Sequence, residues 1–220
     1  MKSIIRKIWN ETRNVKAVVL ELDKNMPFKS GQFVMVKIPK EKFDKLIPAR
    51  AYSIANAPND IYEIKLFIKI YEDGRFSSYF NKLKEGDELD ISGPFGRFVL
   101  DENDSDSINF IAAGTGIAPF FSMYELANKN NIKCNLIYSE RKEEDIIGKK
   151  ILDEGFKNNI SGKYVITSNE SRIDKDFLSK NLIDSKLYFI CGPPEFVNSI
   201  YDNLIELGVK EEKIRTERYG

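Results

Sequence analysis

The alternation of apolar and polar residues divides the chain into two parts. Up to about residue 99, apolar residues recur at every second position in short segments, and prolines and glycines interrupt the pattern. These segments are residues 15–19, 32–38, 51–55, 62–70 and 88–92. A period of two with frequent breaks is typical of short antiparallel strands. The first part therefore predicts an antiparallel β-barrel that ends at the turn Gly93-Pro94-Phe95-Gly96.

From residue 108 onward, short apolar segments alternate with helical patterns. The predicted strands are 109–112, 134–138, 164–167 and 188–191. Helical periodicity is clearest at 118–129 and 194–207. Such alternation is typical of a parallel sheet with helices on both faces. The expected fold is a two-domain α+β protein, in which a Rossmann-like α/β domain follows the antiparallel β-barrel.

The boundary between the two parts is a polar segment at residues 101–107. It contains only acidic residues, asparagine and serine, and such a segment is too polar to join either core. We predict one domain at 1–100, a linker at 101–107 and a second domain at 108–220.

Charge and hydropathy narrow the possible functions. The 34 basic and 34 acidic side chains cancel, so net charge gives no attraction to nucleic acid or to an anionic membrane. No run approaches the roughly 20 apolar residues of a membrane span, and the amino-terminal residues lack the apolar core of a signal peptide. We therefore expect a cytoplasmic protein that binds neither nucleic acid nor membranes.

The chain has no histidine and only two cysteines, Cys134 and Cys191. Histidine is the commonest zinc or copper ligand, and an iron–sulfur cluster normally needs four thiolates. No metal site is predicted, and a disulfide is disfavoured in a reducing compartment. Any iron–sulfur carrier that works with this chain must belong to a separate protein.

Two motifs in the first part offer groups that would bind a flavin. The segment Arg50-Ala51-Tyr52-Ser53 supplies a cation, an aromatic ring and a hydroxyl; the alternative is a barrel strand with a surface arginine. In Gly74-Arg75-Phe76-Ser77-Ser78, the glycine frees the backbone, and Ser77 is predicted to open a helix whose amide groups favour an anion. An ordinary helix cap is the alternative there. Lys69, in the preceding strand, is expected close to the flavin.

Two further motifs follow predicted strands of the second part. Gly114-Thr115-Gly116 leads into a helix with Pro119 in its first turn, where a missing amide hydrogen costs little. The glycines let a pyrophosphate approach the backbone, although Pro119 stands close to the third glycine position of the dinucleotide-binding fingerprint. Cys191-Gly192-Pro193-Pro194 lies at the carboxyl edge of the sheet, where ligands bind in doubly wound folds.

In this order and spacing, the motifs resemble those of the ferredoxin-NADP reductase superfamily, the plant-type two-domain flavoproteins, here without an iron–sulfur domain. The resemblance spans nearly the whole chain. It implies FAD as the flavin, with NADPH or NADH as the second cofactor. It also implies that Arg50 lies at the flavin phosphate or ring edge, Tyr52 on the isoalloxazine, and Ser53 near the flavin nitrogen that exchanges hydride.

Residues 213–220 are expected to form a last strand that returns to the flavin, and the resemblance extends to this segment. The family places the thiol of Cys191 against the nicotinamide as a positioning contact, and an acid and aromatic pair, here Glu217 and Tyr219, against the isoalloxazine. The implied catalytic residues are Ser53, Cys191 and Glu217. The implied cofactor-binding residues are Arg50, Tyr52, Ser53, Lys69, Gly74, Phe76, Ser77, Gly114, Thr115, Gly116, Pro119, Arg141, Arg172, Cys191, Gly192, Pro193 and Tyr219.

The sequence leaves the choice between NADH and NADPH open. Arg141 and Arg172 follow the second and third predicted parallel strands, and an arginine suits a 2′-phosphate because it binds two oxygens at once. Glu140 would repel that phosphate if it points inward. Exposed surface arginines are the alternative interpretation.

The resulting hypothesis is an NAD(P)H-dependent flavoprotein oxidoreductase of the ferredoxin/flavodoxin-NAD(P) reductase type. It would transfer hydride between NAD(P)H and FAD and exchange electrons with ferredoxin, flavodoxin or another redox protein, such as an oxygenase component. One alternative is a flavin electron-transfer subunit like that of dihydroorotate dehydrogenases, whose carboxyl-terminal cysteine cluster is missing here. A second alternative is a reductase of free flavin. We expect a monomer or a homodimer.

Overall fold

The computed structural model describes residues 1–38, 48–59, 62–72, 74–101, 106–158, 160–169 and 172–219. Six strands of the first domain form an antiparallel sheet: β1 (Lys2–Thr12), β2 (Val15–Leu22), β3 (Phe33–Lys37), β4 (Arg50–Ser53), β5 (Glu63–Lys69) and β6 (Glu88–Phe95). Their order is β4-β3-β6-β1-β2-β5. Just after β4, the Ala55 amide donates a 2.8 Å hydrogen bond to the Lys65 carbonyl in β5. The two ends of the sheet therefore meet, and the predicted barrel is confirmed.

Two parts of the barrel differ from the expectation. Strand β1 lies outside the predicted elements because its apolar residues do not alternate with polar ones. Ile4 and Ile5 are adjacent and both apolar, although only Ile5 is buried and Ile4 is 44% exposed. A register shift after Ile5 also interrupts its pairing with β2. The turn predicted at Gly93-Pro94-Phe95-Gly96 is wrong, because β6 continues through Phe95 and a shift in its pairing with β3 accommodates these residues.

Five parallel strands form the sheet of the second domain: β7 (Ser107–Ala113), β8 (Lys133–Glu140), β9 (Ile160–Ile166), β10 (Leu187–Gly192) and β11 (Ile214–Arg218). Their order is β11-β10-β7-β8-β9, so the chain moves to one side of β7 and then returns to the other. The switch point lies between β7 and β10, where a crevice forms at the carboxyl ends of the strands. The four predicted strands are confirmed, and the last strand expected near the carboxyl terminus is β11, at the edge of the sheet.

Helices cover both faces of this second sheet. Besides α1 (Arg75–Phe80) in the barrel domain, the chain forms α2 (Ala118–Lys129), α3 (Lys149–Asn158), α4 (Lys175–Asn181) and α5 (Pro194–Glu206). Successive residues of a strand point to opposite sides. Accordingly, Phe110 packs with residues of α2 and α3, and Ile111 packs with residues of α4 and α5. The predicted two-faced arrangement is confirmed.

The outer face of β2 and β5 packs directly on the second domain. Val15, Ala17 and Phe67 of the barrel belong to the same buried cluster as α2 and α3 residues, and the ring centroids of Phe67 and Phe121 lie 5.4 Å apart. Polar contacts flank this cluster. The Arg13 guanidinium lies 3.0 Å from the Asp145 carboxylate, the Gly148 amide donates to Glu11 at 2.9 Å, and the Ala57 amide donates to Glu125 at 2.8 Å.

Residues 102–105 of the predicted linker lie outside the described residues. Ser107, the last residue of that predicted linker, already belongs to β7. The proposed division into domains stays a prediction. In the described part of the chain, no helix is both long and apolar enough to cross a membrane.

The interface predicts that Phe67→Ala is strongly destabilising. Phe67 is 3% exposed and contacts the other domain, so truncation should lower the free energy of unfolding by about 3–5 kcal/mol. Urea denaturation followed by circular dichroism measures this loss. The control Ile205→Ala, at a site 41% exposed on α5, should cost less than about 1 kcal/mol. A comparably small loss for Phe67→Ala would contradict the packing described.

Candidate active site

Strand β4 presents its motif on two faces. Tyr52 packs against the barrel core, whereas Ser53, which pairs with Phe33, points to the opposite side. The centroid of the Tyr52 ring lies 5.9 Å from that of Phe76 and 6.4 Å from that of Phe80 in α1. Burial raises the pKa of the Tyr52 hydroxyl. The ring is therefore neutral and is held in place by two aromatic neighbours.

Arg50 and Ser53 keep polar groups available at this strand. The Arg50 guanidinium is exposed and makes a 3.5 Å contact with the adjacent Ala49 carbonyl. Among the described residues, no carboxylate pairs with Arg50, and no hydrogen bond is made by the half-buried Ser53 hydroxyl. The strand thus offers a cation and a hydroxyl that the described fold does not consume.

The second motif forms the tight turn before α1. Helix α1 begins at Arg75 with Gly74 as its N-cap, so the prediction that Ser77 opens the helix is wrong. The buried Ser77 hydroxyl donates to the Tyr71 carbonyl at 2.9 Å and accepts from the Tyr71 amide at 3.0 Å. A Cβ at Gly74 would lie 2.3 Å from Ser77 Oγ. Ser77 therefore shapes the turn, while Phe76 belongs to the barrel core.

The third motif is a close approach between two strand ends. Strand β7 leads into the 3₁₀ turn Gly114–Ile117, and Pro119 is the second residue of α2. Gly114 has a φ of +57°, which favours glycine. A Cβ at Gly116 would lie 2.3 Å from the Cys191 carbonyl oxygen. Glycine is thus required for this turn to pack against β10, which brings the third and fourth motifs into contact.

Cys191 and Glu217 are paired residues of the adjacent strands β10 and β11. Cys191 is 2% exposed, and burial, together with the charge of Glu217, raises the pKa of its thiol well above the ordinary value. Burial also raises the pKa of the Glu217 carboxyl to about 7. The thiol therefore stays protonated, and Glu217 changes charge near neutral pH.

Tyr219 follows β11 and covers the glycine turn. Its amide donates to the Gly192 carbonyl at 3.2 Å, and its hydroxyl donates to the Ala113 carbonyl at 2.7 Å. Burial raises the pKa of this hydroxyl to about 12, although hydrogen bonds from Thr115 and the Gly116 amide partly oppose the rise. Tyr219 therefore engages backbone groups of the turn that a phosphate would otherwise meet.

The last residues of the fourth motif join β10 to α5. Gly192 ends β10, and a Cβ at this position would lie 2.8 Å from the Phe196 ring. Pro193 is the N-cap residue of α5. The glycine therefore lets the Phe196 ring lie close to the carboxyl end of the strand.

Two adjoining cavities open at the carboxyl edge of the parallel sheet. The larger lobe has a volume of about 350 Å³ and is lined by Phe196, Ile173 and Arg172, among others. The smaller lobe has a volume of about 190 Å³. The residues that line both lobes are Gly114, Glu140 and Arg141. Ligand sites typically measure about 300–1,000 Å³, so the two lobes together have the size of a small-molecule site.

The smaller lobe contains cations from both domains. Lys69 at the end of β5 lies there with Thr115 and Arg141, so the structure brings these three predicted residues together. Arg13, in the turn between β1 and β2, also lines this lobe. No local motif marks Arg13, because it reaches the lobe only through the packing of the domains. Phe196 could have been found from its place in the first turn of α5, directly after the fourth motif.

The residues present fit both cofactors that the motifs imply. For FAD, strand β4 supplies the exposed guanidinium of Arg50, the ring of Tyr52 and the hydroxyl of Ser53. For a nicotinamide dinucleotide, the glycine turn at the sheet switch point opens onto two lobes that contain cations. Tyr219, which packs against the core of the second domain, covers the glycine turn.

Comparison with known proteins gives an independent assignment of both halves. The family described as the oxidoreductase FAD-binding domain matches residues 3–100. The family described as the oxidoreductase NAD-binding domain matches residues 110–202. FAD and a nicotinamide dinucleotide are thus the cofactors of this protein.

Curated relatives include a reductase and a phenol hydroxylase protein. The chain is 33% identical over 211 residues to NADH-cytochrome b5 reductase 2 of Meyerozyma guilliermondii, covering 86% of this chain and 70% of the relative. It is 25% identical over 221 residues to the phenol hydroxylase P5 protein of Acinetobacter pittii, covering 93% of this chain and 61% of that relative. This chain therefore spans less than two thirds of the length of the phenol hydroxylase protein.

Solved structures show the same two-domain fold. The ferredoxin NADP⁺ reductase from Neisseria gonorrhoeae, crystallised with FAD and NADP, superposes with a TM-score of 0.83 at 21% identity and covers 99% of this chain and 98% of that one. The fold, the two matched domain families and the reductase relatives agree. The chain belongs to the ferredoxin-NADP reductase superfamily and contains both the FAD-binding and the NAD-binding domain of its oxidoreductases.

Proposed function

We propose that this oxidoreductase takes hydride from NADH or NADPH at the cleft between its domains and passes electrons to a separate redox protein. The observation that carries the proposal is the meeting of three motifs at the sheet switch point. Gly116 packs on the backbone of Cys191, Cys191 pairs with Glu217, and Tyr219 covers the turn. The acceptor would be a ferredoxin, a flavodoxin or an oxygenase component.

The barrel side would hold and orient the flavin. Arg50 would neutralise a phosphate or bind the ring edge, and Tyr52 would support the ring, because its own position is fixed by aromatic neighbours in α1. The hydroxyl of Ser53 would donate a hydrogen bond near the reacting atom. Gly74 and Ser77 would act by setting the backbone of the turn before α1. When bound, FAD supplies the hydride-accepting group.

The α/β side would hold the nicotinamide dinucleotide. The backbone of Gly114, Thr115 and Gly116 would bind the pyrophosphate once Tyr219 has moved aside. The larger lobe, with Phe196 and Ile173, suits the adenosine, and the cations of the smaller lobe suit phosphate oxygens. Cys191 would position the nicotinamide as a neutral thiol, since burial disfavours its thiolate.

Glu217 would hold or move a proton at the reacting site. Its pKa of about 7 means that both charge states are populated near neutral pH. Its neighbour Cys191 is neutral throughout this range. The two side by side would give the site one group that titrates and one that does not.

The relatives support a protein acceptor. One is named for the reduction of cytochrome b5 and another for phenol hydroxylase. Reduction of free flavin is the second candidate function, because Arg50 is exposed and a flavin held by an exposed group would exchange with solvent. Retention of the flavin through purification separates the two.

The proposal predicts a coloured protein that NADH or NADPH bleaches. The purified protein should show a flavin absorption band at about 450 nm. This band should disappear when NADH or NADPH is added under anaerobic conditions. Stopped-flow absorbance with each donor measures the rate. A protein that stays colourless after addition of FAD would overturn the proposal, and loss of flavin on desalting would favour the free-flavin alternative.

Ser53→Ala should slow flavin reduction about tenfold or more while FAD stays bound, because one hydrogen bond at the reacting atom is worth about 1.4 kcal/mol. The matched control is Ser92→Ala, an exposed serine of β6 on the same sheet. Stopped-flow rates and flavin content are compared in the same preparations. Equal rates in the two variants would remove Ser53 from the reacting site.

Glu217 should make stability depend on pH. The pKa of Glu217 in the folded protein, about 7, lies above the ordinary 4.5. The contribution of this group to the free energy of unfolding is therefore full below about pH 4.5 and is lost as the pH rises through 7, a change of about 1–3 kcal/mol. Glu217→Gln should therefore raise the unfolding temperature more at pH 8 than at pH 5. Calorimetry tests this, with the exposed Glu212→Gln as control. The same shift at both pH values would contradict the buried carboxyl.

A further inference from the structure

Glu140 lies between the two lobes of the cavity. It is the last residue of β8, which lies directly beside β7 in the sheet, and it lines both cavities. A dinucleotide that extends from the glycine turn into the larger lobe must therefore pass this carboxylate. In doubly wound folds, an acid after the second strand accepts hydrogen bonds from a ribose hydroxyl.

The carboxylate of Glu140 is fixed by hydrogen bonds. One oxygen accepts from the Tyr138 hydroxyl at 2.9 Å, and the other accepts from the Arg141 amide at 3.3 Å. The Tyr138 hydroxyl also accepts from the Ile147 amide at 3.3 Å and lies 3.2 Å from the Gly114 carbonyl oxygen. Since Tyr138 is fully buried, it holds the Glu140 carboxylate beside the glycine turn.

The charged groups that face Glu140 come from several elements. Lys69 of the barrel and Arg13 are the cations of the smaller lobe besides Arg141, and Asp145 is a second carboxylate. Asp145 is bound to Arg13 and lines only the smaller lobe, and Glu195 lines only the larger lobe. Glu140 is therefore the carboxylate that lines both lobes. Glu140 is half-buried. Desolvation raises the pKa of its carboxyl, and the hydrogen bond with Tyr138 opposes that rise.

Unlike Glu140, the two arginines that would favour a 2′-phosphate lie on the surface. The side chains of Arg141 and Arg172 are both exposed, so binding a phosphate would require them to lose conformational freedom and would be screened by solvent. A fixed carboxylate in a partly desolvated site acts at a lower effective dielectric constant than exposed cations do, so its repulsion of a phosphate is screened less than their attraction.

We propose that Glu140 is the residue that makes this site select NADH over NADPH. Its carboxylate accepts hydrogen bonds from the adenosine ribose and repels the 2′-phosphate. This inference rests on the proposed function, in which the larger lobe holds the adenosine. The carboxylate sets the preference against the attraction that the exposed Arg141 and Arg172 exert on a phosphate, so removal of its charge leaves a site with two arginines for the 2′-phosphate.

Calorimetric titration of the flavin-loaded protein tests the inference without turnover. The probes are ADP-ribose and 2′-phospho-ADP-ribose, which differ only in the 2′-phosphate. The wild type should bind ADP-ribose at least about tenfold more tightly than its 2′-phosphate. Glu140→Gln keeps the shape and the contact with Tyr138 but removes the charge, and it should reduce that ratio at least about fivefold.

Glu143→Gln is the matched control, because Glu143 is exposed, pairs with Lys149 and lies outside both lobes. It should leave the affinity ratio unchanged. Thermal melts confirm that each variant is folded. An equal ratio in wild type and Glu140→Gln, or tighter binding of the phosphorylated probe by the wild type, would overturn the inference.

The outcomes separate this inference from the proposed function. Binding of ADP-ribose with no discrimination by Glu140 would overturn only the selectivity assignment. Failure of both probes to bind, together with a flavin that neither NADH nor NADPH bleaches, would overturn the proposed function and the inference with it. Loss of discrimination in Glu140→Gln, with unchanged discrimination in Glu143→Gln, supports the assignment.

Discussion

The apolar contact between the barrel and the α/β domain is the interaction on which the site depends. The side chains of Val15, Ala17 and Phe67 lie on the outside of the barrel and pack in the buried cluster that also contains Phe121. Because interiors of this kind are close-packed, such a contact fixes the relative position of the domains more firmly than a polar interface would. Lys69, at the end of one of these strands, consequently lies beside the glycine turn of the other domain.

Within the α/β domain, the site is built from backbone approach. Gly116 permits contact with the Cys191 carbonyl, and Gly114 lies beneath the Tyr219 hydroxyl. The chemistry then comes from desolvation, which keeps Cys191 neutral and moves the pKa of Glu217 toward neutrality. Small residues supply the geometry, and burial supplies the proton affinity.

Much of the fold could be predicted because local patterns report it directly. The alternation around Val19 and the helix at Ala118–Lys129 carry their own periodicity. Strand β1 escapes such reasoning because bulges break its alternation. The start of α1 was misplaced because Ser77 resembles a cap, whereas its hydroxyl bonds back to the preceding turn.

Site residues that belong to a contiguous motif can be predicted from the sequence. Those that tertiary packing brings into the site cannot. The glycine turn and the Cys191 segment could be recognised from a few consecutive residues. Arg13 enters the smaller lobe from the other domain, and the anchoring of Glu140 by Tyr138 depends on a side-chain direction that no spacing specifies. Sequence therefore indicated the cofactors, while the charge pattern around them required the structure.

A crystal structure of the FAD-loaded protein tests the central claim most directly, namely that both domains together form one reacting site. The account predicts an isoalloxazine ring that contacts Tyr52 of the barrel and the segment containing Glu217 and Tyr219 of the α/β domain. A ring that contacts only the barrel, with the carboxyl-terminal segment turned away, would contradict it.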